Sequence, residues 1–146
     1  MAELYGFDAY SPREIAARVE AVGVAKARLP LPQMVLLGVL AGGFIGLGSL
    51  YFVIVVSDPT LGFAASRLLG GLVFSLGLLL VVVAGAELFT GNNLLAMAWI
   101  SRKITTRALL RNWTLVYLGN VVGALATVVF AHLGEVERLG GGAVGE

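Results

Sequence analysis

The sequence has 146 residues, of which 58 % are hydrophobic and only 13 % charged, and its mean hydropathy is +0.92. Soluble domains carry about 25 % charged residues, so this chain has too few polar groups to cover a water-soluble globule, and its hydrophobicity excludes a disordered chain. A net charge of +1 argues against a nucleic-acid partner, and the absence of cysteine with a single histidine, His132, excludes thiolate and histidine-cluster metal sites within one copy.

The N-terminal segment, residues 1–28, is charged and mixed, and we predict a cytoplasmic amphipathic helix there. Ser11, Pro12 and Glu14 form the pattern of a capping box, with Ser11 as the N-cap and Pro12 at the first helical position. Apolar residues follow at helical spacing, which favours a helix on the membrane face over the alternative of a solvated helix. These apolar residues are Ile15, Val19 and Val22.

Three stretches without Asp, Glu, Lys or Arg predict three membrane crossings. They are residues 29–57, 68–86 and 112–134. A helix needs about 20 predominantly apolar residues to cross the bilayer core. We therefore predict an all-α integral membrane protein with a transmembrane region over 29–134. Its spans are predicted at about 33–56, 68–101 and 112–133.

The distribution of basic residues predicts the orientation of the chain. The connection 102–111 is basic and contains no acid, which places it in the cytoplasm under the positive-inside rule. Three crossings then put the N-terminus in the cytoplasm and the tail, residues 135–146, outside. We interpret this tail as a truncated external loop. The basic residues of the connection are Arg102, Lys103, Arg107 and Arg111.

The second span is too long and too polar to be one straight helix. A helix over residues 68–101 would be about 50 Å long, whereas the hydrocarbon core is about 30 Å thick. We predict that it breaks near residues 86–91, where glycine and asparagine disfavour a helix. Non-helical backbone is tolerated at membrane depth where it is buried in protein or lines water, and broken helices often form substrate sites. The residues expected to build this loop are Gly85, Glu87, Gly91, Asn92 and Asn93.

Glu87 has two interpretations, because an acid within a membrane span is costly and is a functional candidate by default. A carboxylate that faces the path would repel an anionic substrate. One that accepts hydrogen bonds from the loop backbone would brace the loop, and we favour this structural role.

Small residues predict close helix packing in the first and third spans. The spacing does not distinguish packing within a subunit from packing between subunits. Phe74, Ser75 and Leu78 share one helical face and, by pattern alone, favour packing over pore lining. The residues assigned to helix packing are Gly38, Gly42, Gly46, Gly119, Gly123 and Asn120, the last as an interhelical hydrogen-bonding residue.

Three ordered motifs resemble the formate/nitrite transporter family. Residues 83–91 read Val-Ala-Gly-Ala-Glu-Leu-Phe-Thr-Gly, and residues 69–78 precede them with Leu-Gly-Gly-Leu-Val-Phe-Ser-Leu-Gly-Leu. Arg-Asn-Trp at 111–113 and Tyr-Leu-Gly-Asn-Val-Val-Gly-Ala at 117–124 follow. The resemblance covers nearly the whole chain.

The resemblance implies a pentameric inner-membrane channel for formate, nitrite or hydrosulfide. Each protomer of the family has an aquaporin-like fold of six helices, built from two inverted repeats that each contribute a broken helix. A central histidine from the second half offers a hydrogen bond or proton to the anion. Matching pore positions are Leu88, Phe89 and Thr90 in the loop, Leu78 at the inner constriction and Phe74 at the outer one.

The chain departs from the family because it holds three spans, which correspond to the first inverted repeat. His132 lies at the outer end of the third span and does not replace the central histidine. We expect a fragment, or a half that assembles with a C-terminal half, which does not conduct by itself.

Other functions remain open at this point. They are an aquaporin-like channel for neutral solutes and a non-transporting membrane assembly subunit. An enzyme is disfavoured because no pair of titratable groups is placed for acid–base catalysis. We expect no catalytic residue, metal or cofactor.

Overall fold

The structure, a computed structural model, describes residues 10–145, and these form helices without any β-strand. The part of the predicted N-terminal segment before residue 10, and the last residue of the predicted external loop, lie outside this range. The helices are α1 (Pro12–Ala27), α2 (Leu31–Val56), α3 (Phe63–Ala84), α4 (Phe89–Asn92), α5 (Leu95–Ile100) and α6 (Thr106–Leu133), followed by 3₁₀ turns within Val136–Gly142.

The predicted capping box at the start of α1 is confirmed. The Ser11 hydroxyl accepts from the Glu14 N–H, and the Glu14 carboxylate accepts from the Ser11 N–H at 2.8 Å. Pro12 opens the helix, where its missing N–H costs nothing. The helix ends at Ala27, and α2 begins at Leu31 after Pro30.

The prediction of three membrane-spanning helices is confirmed at the level of length and composition. Among residues 10–145, α2, α3 and α6 are long and apolar enough to cross a membrane. Two of them begin before the charge-free stretches do, α3 at Phe63 and α6 at Thr106. Arginine is a good helix former, so a charge marks where a helix leaves the apolar region and not where its hydrogen bonding stops. The Thr105 hydroxyl caps α6 by accepting from the Ala108 N–H.

Helix α2 lies between α3 and α6 and packs on both. Its contact with α6 brings backbone against backbone, so that a Cβ added to Gly42 would lie 2.0 Å from the Asn120 carbonyl oxygen. A Cβ on Gly123 would likewise lie 2.0 Å from the Val39 carbonyl oxygen. The small residues of the two spans therefore pack within a single chain. The glycines at this contact are Gly38, Gly42, Gly46, Gly119 and Gly123.

The apolar surface of the long helices is mostly exposed. The few large side chains that are fully buried include Met34, Leu95 and Val116. By contrast, α3 and α6 present rows of exposed leucine, valine and phenylalanine side chains. This is the reverse of a soluble domain and fits helices that meet lipid or further protein.

Candidate functional site

Helix α3 ends at Ala84, just before the break predicted at residues 86–91. Gly85 adopts the left-handed conformation, with φ +62° and ψ 31°, which is typical of the residue that closes a helix. The Ala86 N–H donates to the Val81 carbonyl at 3.0 Å and completes this closure. Residues 85–88 are not helical, and we refer to them as the interruption.

The chain becomes helical again sooner than the sequence predicts. Phe89–Asn92 forms the single turn α4, although an irregular loop is predicted through residue 91, and α5 follows at Leu95–Ile100. The physical reason is a tertiary contact, since the first N–H of α4, that of Phe89, donates to the Asn120 side chain on α6 at 2.9 Å. Local propensity carries no information about this partner.

Glu87, in the interruption, is buried, with 4 % of its surface exposed. Its carboxylate accepts from Lys26 Nζ at 2.9 Å and from Asn92 Nδ2 at 2.7 Å. Lys26 Nζ also donates to Asn92 Oδ1 at 2.9 Å, so the three side chains close a ring. Buried charges require such pairing. Glu87 thus ties α1 and α4 together through side chains, whereas the sequence suggested bonds from the loop backbone.

Asn112 extends this ring to α6. Its Oδ1 accepts from Asn92 Nδ2 at 2.9 Å, and its Nδ2 donates to the Lys26 carbonyl at 3.3 Å. Both asparagines are fully buried, and no buried side-chain nitrogen or oxygen in the described residues lacks a partner. We call Lys26, Glu87, Asn92 and Asn112 the polar ring. Sequence reasoning missed Lys26 and Asn112 as members, although a lone acid in a span indicates that a cation must be near.

Asn120 contacts the interruption and the first residue of α4. Its Oδ1 accepts from the Phe89 N–H, and its Nδ2 donates to the Glu87 carbonyl at 2.9 Å and to the Gly38 carbonyl on α2 at 2.8 Å. One side chain of α6 therefore holds the backbone of the interruption against α2.

Aromatic side chains also hold α4 against α6. The Phe89 ring packs edge-on against Tyr117 at 5.4 Å and Trp113 at 6.3 Å between ring centroids. Trp113 Nε1 donates to the Asn92 carbonyl at 2.9 Å. The Phe89 side chain is therefore engaged with α6.

An open cavity of about 370 Å³ adjoins the interruption. Leu78, Leu88 and Thr90, which the resemblance assigns to the pore, line it, and Lys26, Glu87 and Gly91 contribute as well. The remaining predicted pore residues are placed elsewhere. Phe74 lies one turn before Leu78 on α3, where it packs edge-on against Phe52 at 6.4 Å, and Phe89 contacts α6.

The backbone donors around the interruption divide into two groups. Five have acceptors: the N–H groups of Gly85, Ala86, Glu87, Phe89 and Asn92 donate to Val82, Val81, Leu37, Asn120 and Leu88. Those of Leu88, Thr90 and Gly91 have no acceptor within residues 10–145. These last three residues all line the cavity. The residues of the cavity wall thus supply apolar side chains, the Lys26–Glu87 ion pair and backbone N–H groups without a partner in the described residues, and such N–H groups suit a small anion.

Comparisons with known proteins place this geometry in context. A family model described as formate/nitrite transporter matches residues 13–144. The chain is 46 % identical over 125 residues to the uncharacterized transporter YrhG of Bacillus subtilis, covering 84 % of this chain and 47 % of that protein. It is 43 % identical over 128 residues to the formate channel BtFdhC of Bacillus thuringiensis, covering 86 % and 49 %. It is 39 % identical over 128 residues to the formate channel FocA of Escherichia coli, covering 87 % and 45 %. The chain spans about half the length of these curated relatives.

Proposed function

Because the chain belongs to the formate/nitrite transporter family, we propose that it forms half of a permeation path for small monovalent anions, with formate as the first candidate and nitrite and hydrosulfide as related ones. Two of the similar proteins are named formate channels. The observation that carries the proposal is the set of spare backbone donors at Leu88, Thr90 and Gly91 in the wall of the cavity.

In this proposal, α3, α4 and α5 form one crossing that is broken at membrane depth. A small anion that enters an apolar passage loses water, and its charge then needs donors. The backbone N–H groups beside the interruption and the Thr90 hydroxyl supply them, as broken helices do in other transport proteins. Leu78 and Leu88 exclude water from the passage, and Phe74 and Phe89 belong to the same path.

The polar ring removes an electrostatic obstacle. An isolated Glu87 carboxylate next to the cavity would repel an anion. Its pairing with Lys26 at 2.9 Å cancels the charge locally, and Lys26 itself lines the cavity. In our proposal the acid therefore shapes the passage and does not block it.

The proposal includes the assembly and its orientation. The chain acts as the first inverted repeat of an aquaporin-like fold and pairs with a C-terminal half, in a homo-oligomer that we take to be a pentamer. The N-terminus is cytoplasmic in the inner membrane, because the connection after α5 is basic and the end of the chain is acidic. The exposed apolar rows on α3 and α6 would be covered by lipid and by the other repeat.

Flux measurements on the complete protein that carries this chain test the proposal. Proteoliposomes should release formate, and formamide, a neutral molecule of similar size, should pass far more slowly. Passage of formamide without formate would refute the anion path and favour a neutral-solute channel. Passage of neither would refute permeation and favour an assembly subunit.

A further inference from the structure

Asn120 makes hydrogen bonds that the packing of α6 on α2 does not require. It lies on α6 and is half-buried, and its amide uses both of its ends on neighbouring segments. One Nδ2 bond, to the Gly38 carbonyl, joins α6 to α2. The other two bonds, to the Glu87 carbonyl and the Phe89 N–H, lie on the backbone at the interruption.

Asn120 is the donor in one of these two bonds and the acceptor in the other, and the bonds engage neighbouring peptide groups. The Asn120 Nδ2 covers the carbonyl oxygen of Glu87, a residue that lines the cavity. The Asn120 Oδ1 takes the N–H of Phe89, which packs on α6 away from the cavity. The N–H groups of Leu88 and Thr90, on either side of Phe89, keep no acceptor within the described residues.

We propose that Asn120 is a positioning residue for anion selectivity, which holds the interruption so that the cavity wall presents N–H donors and no exposed Glu87 carbonyl. This inference rests on the proposed anion path. The electrostatic reasoning is that a fixed set of donors discriminates anions from neutral solutes only while the opposing dipoles are turned away or covered.

Thr127 provides a matched control on the same helix. It also lies on α6, and its hydroxyl is shared between a carbonyl of α2, that of Gly43 at 3.3 Å, and the Gly123 carbonyl of its own helix at 3.1 Å. It makes no hydrogen bond to the interruption. Thr127→Val therefore removes an α2–α6 bond without altering the loop.

The test compares Asn120→Leu, Asn120→Asp and Thr127→Val in the complete protein, reading the ratio of formate flux to formamide flux in proteoliposomes. Asn120→Leu removes all three bonds, whereas Asn120→Asp keeps the acceptor for the Phe89 N–H and loses both donors. We expect the ratio to fall about tenfold in either Asn120 variant, the effect of losing roughly one hydrogen bond's worth of discrimination. It should stay within about twofold of wild type in Thr127→Val.

Amide hydrogen exchange provides a second readout that does not depend on flux. Exchange of the backbone over residues 86–92 should accelerate in both Asn120 variants and stay unchanged in Thr127→Val, because Asn120 makes hydrogen bonds to this segment and Thr127 makes none. If the wild-type protein passes no anion, the proposed function is refuted. Hydrogen exchange then still tests whether Asn120 anchors the backbone of residues 86–92. If the wild type conducts and both Asn120 variants keep its flux ratio, the inference is overturned. Should Asn120→Leu not fold, Asn120→Asp decides.

Discussion

Removing the Lys26 ammonium should destabilise the protein far more than removing an exposed lysine. In Lys26→Met the stem of the side chain is largely kept, but Glu87 loses the bond at 2.9 Å and stays buried, with its side chain 5 % exposed. Taking one partner from a buried ion pair costs about 3–5 kcal/mol, because the other charge is left without compensation.

Lys103→Met is the matched control. Lys103 also pairs with a glutamate, Glu20, but its side chain is 50 % exposed and that of Glu20 is 18 % exposed. Exposed pairs contribute about 0–1 kcal/mol. Both lysines join α1 to residues beyond α3, so the two variants differ in the burial of the pair and in the further bond from Lys26 Nζ to the buried Asn92 Oδ1.

Reversible unfolding of the purified protein in detergent, followed by circular dichroism, measures the difference. The double variant Lys26→Met with Glu87→Gln should recover a large part of the loss, since the neutral amide introduced by Glu87→Gln can still accept from Asn92 Nδ2, which donates to the native carboxylate at 2.7 Å. Equal stability of the two lysine variants, or no recovery in the double variant, would refute the view that Glu87 is a buried charge neutralised by Lys26.

Three further predictions address the proposed path, the packing of α2 against α6 and the contact of α1 with α5. Thr90→Val should lower formate flux about tenfold at unchanged yield of folded oligomer, because a hydroxyl donor in the cavity wall is lost. The control is Thr114→Val, at an exposed position on α6. Equal flux in both variants would contradict a role for Thr90. Gly42→Leu should abolish most of the folded yield on size-exclusion chromatography, since even a Cβ would lie 2.0 Å from the Asn120 carbonyl, whereas Gly71→Leu, with nothing within 4 Å of its Cβ, should fold normally. Hydrogen bonds from Lys103 and Ser101 lower the pKa of Glu20, so its contribution to the α1–α5 contact is present above the ordinary glutamate pKa of about 4.3 and is lost as the pH falls through the lower folded value. The protection factors of the α1 amides, which correct for the intrinsic pH dependence of amide exchange, should therefore be constant between about pH 8 and 5 and fall below about pH 4, and Glu20→Gln should remove that fall.

Local patterns in the sequence identify elements whose causes are local. The capping box at Ser11 is a contact between residues three apart and is confirmed. The presence of three helices that are long and apolar enough to cross a membrane follows from the charge-free stretches and is also confirmed. The first residues of helices are harder to predict from the sequence. Phe63 and Thr106 lie in segments that mix charged and apolar residues, where a charge does not stop a helix.

The polar ring could not be assembled from the sequence, because its members are far apart along the chain. Lys26 and Glu87 are separated by 61 residues, and Lys26 and Asn112 by 86. A lysine near the start of a span reads as a topology signal, and only the fold shows that it pairs with an acid. Phe89 illustrates the same limit, since its neighbours Trp113 and Tyr117 belong to another helix.

The polar ring can be completed only late in the synthesis of the protein. Lys26 leaves the ribosome long before Glu87, and Asn112 emerges last, so translation always passes through an intermediate in which Asn92 lacks its partner Asn112. Maturation should therefore pass through a checkpoint at the insertion of α6. Chains arrested before Asn112 should be short-lived substrates of membrane quality control, whereas those released after it should persist.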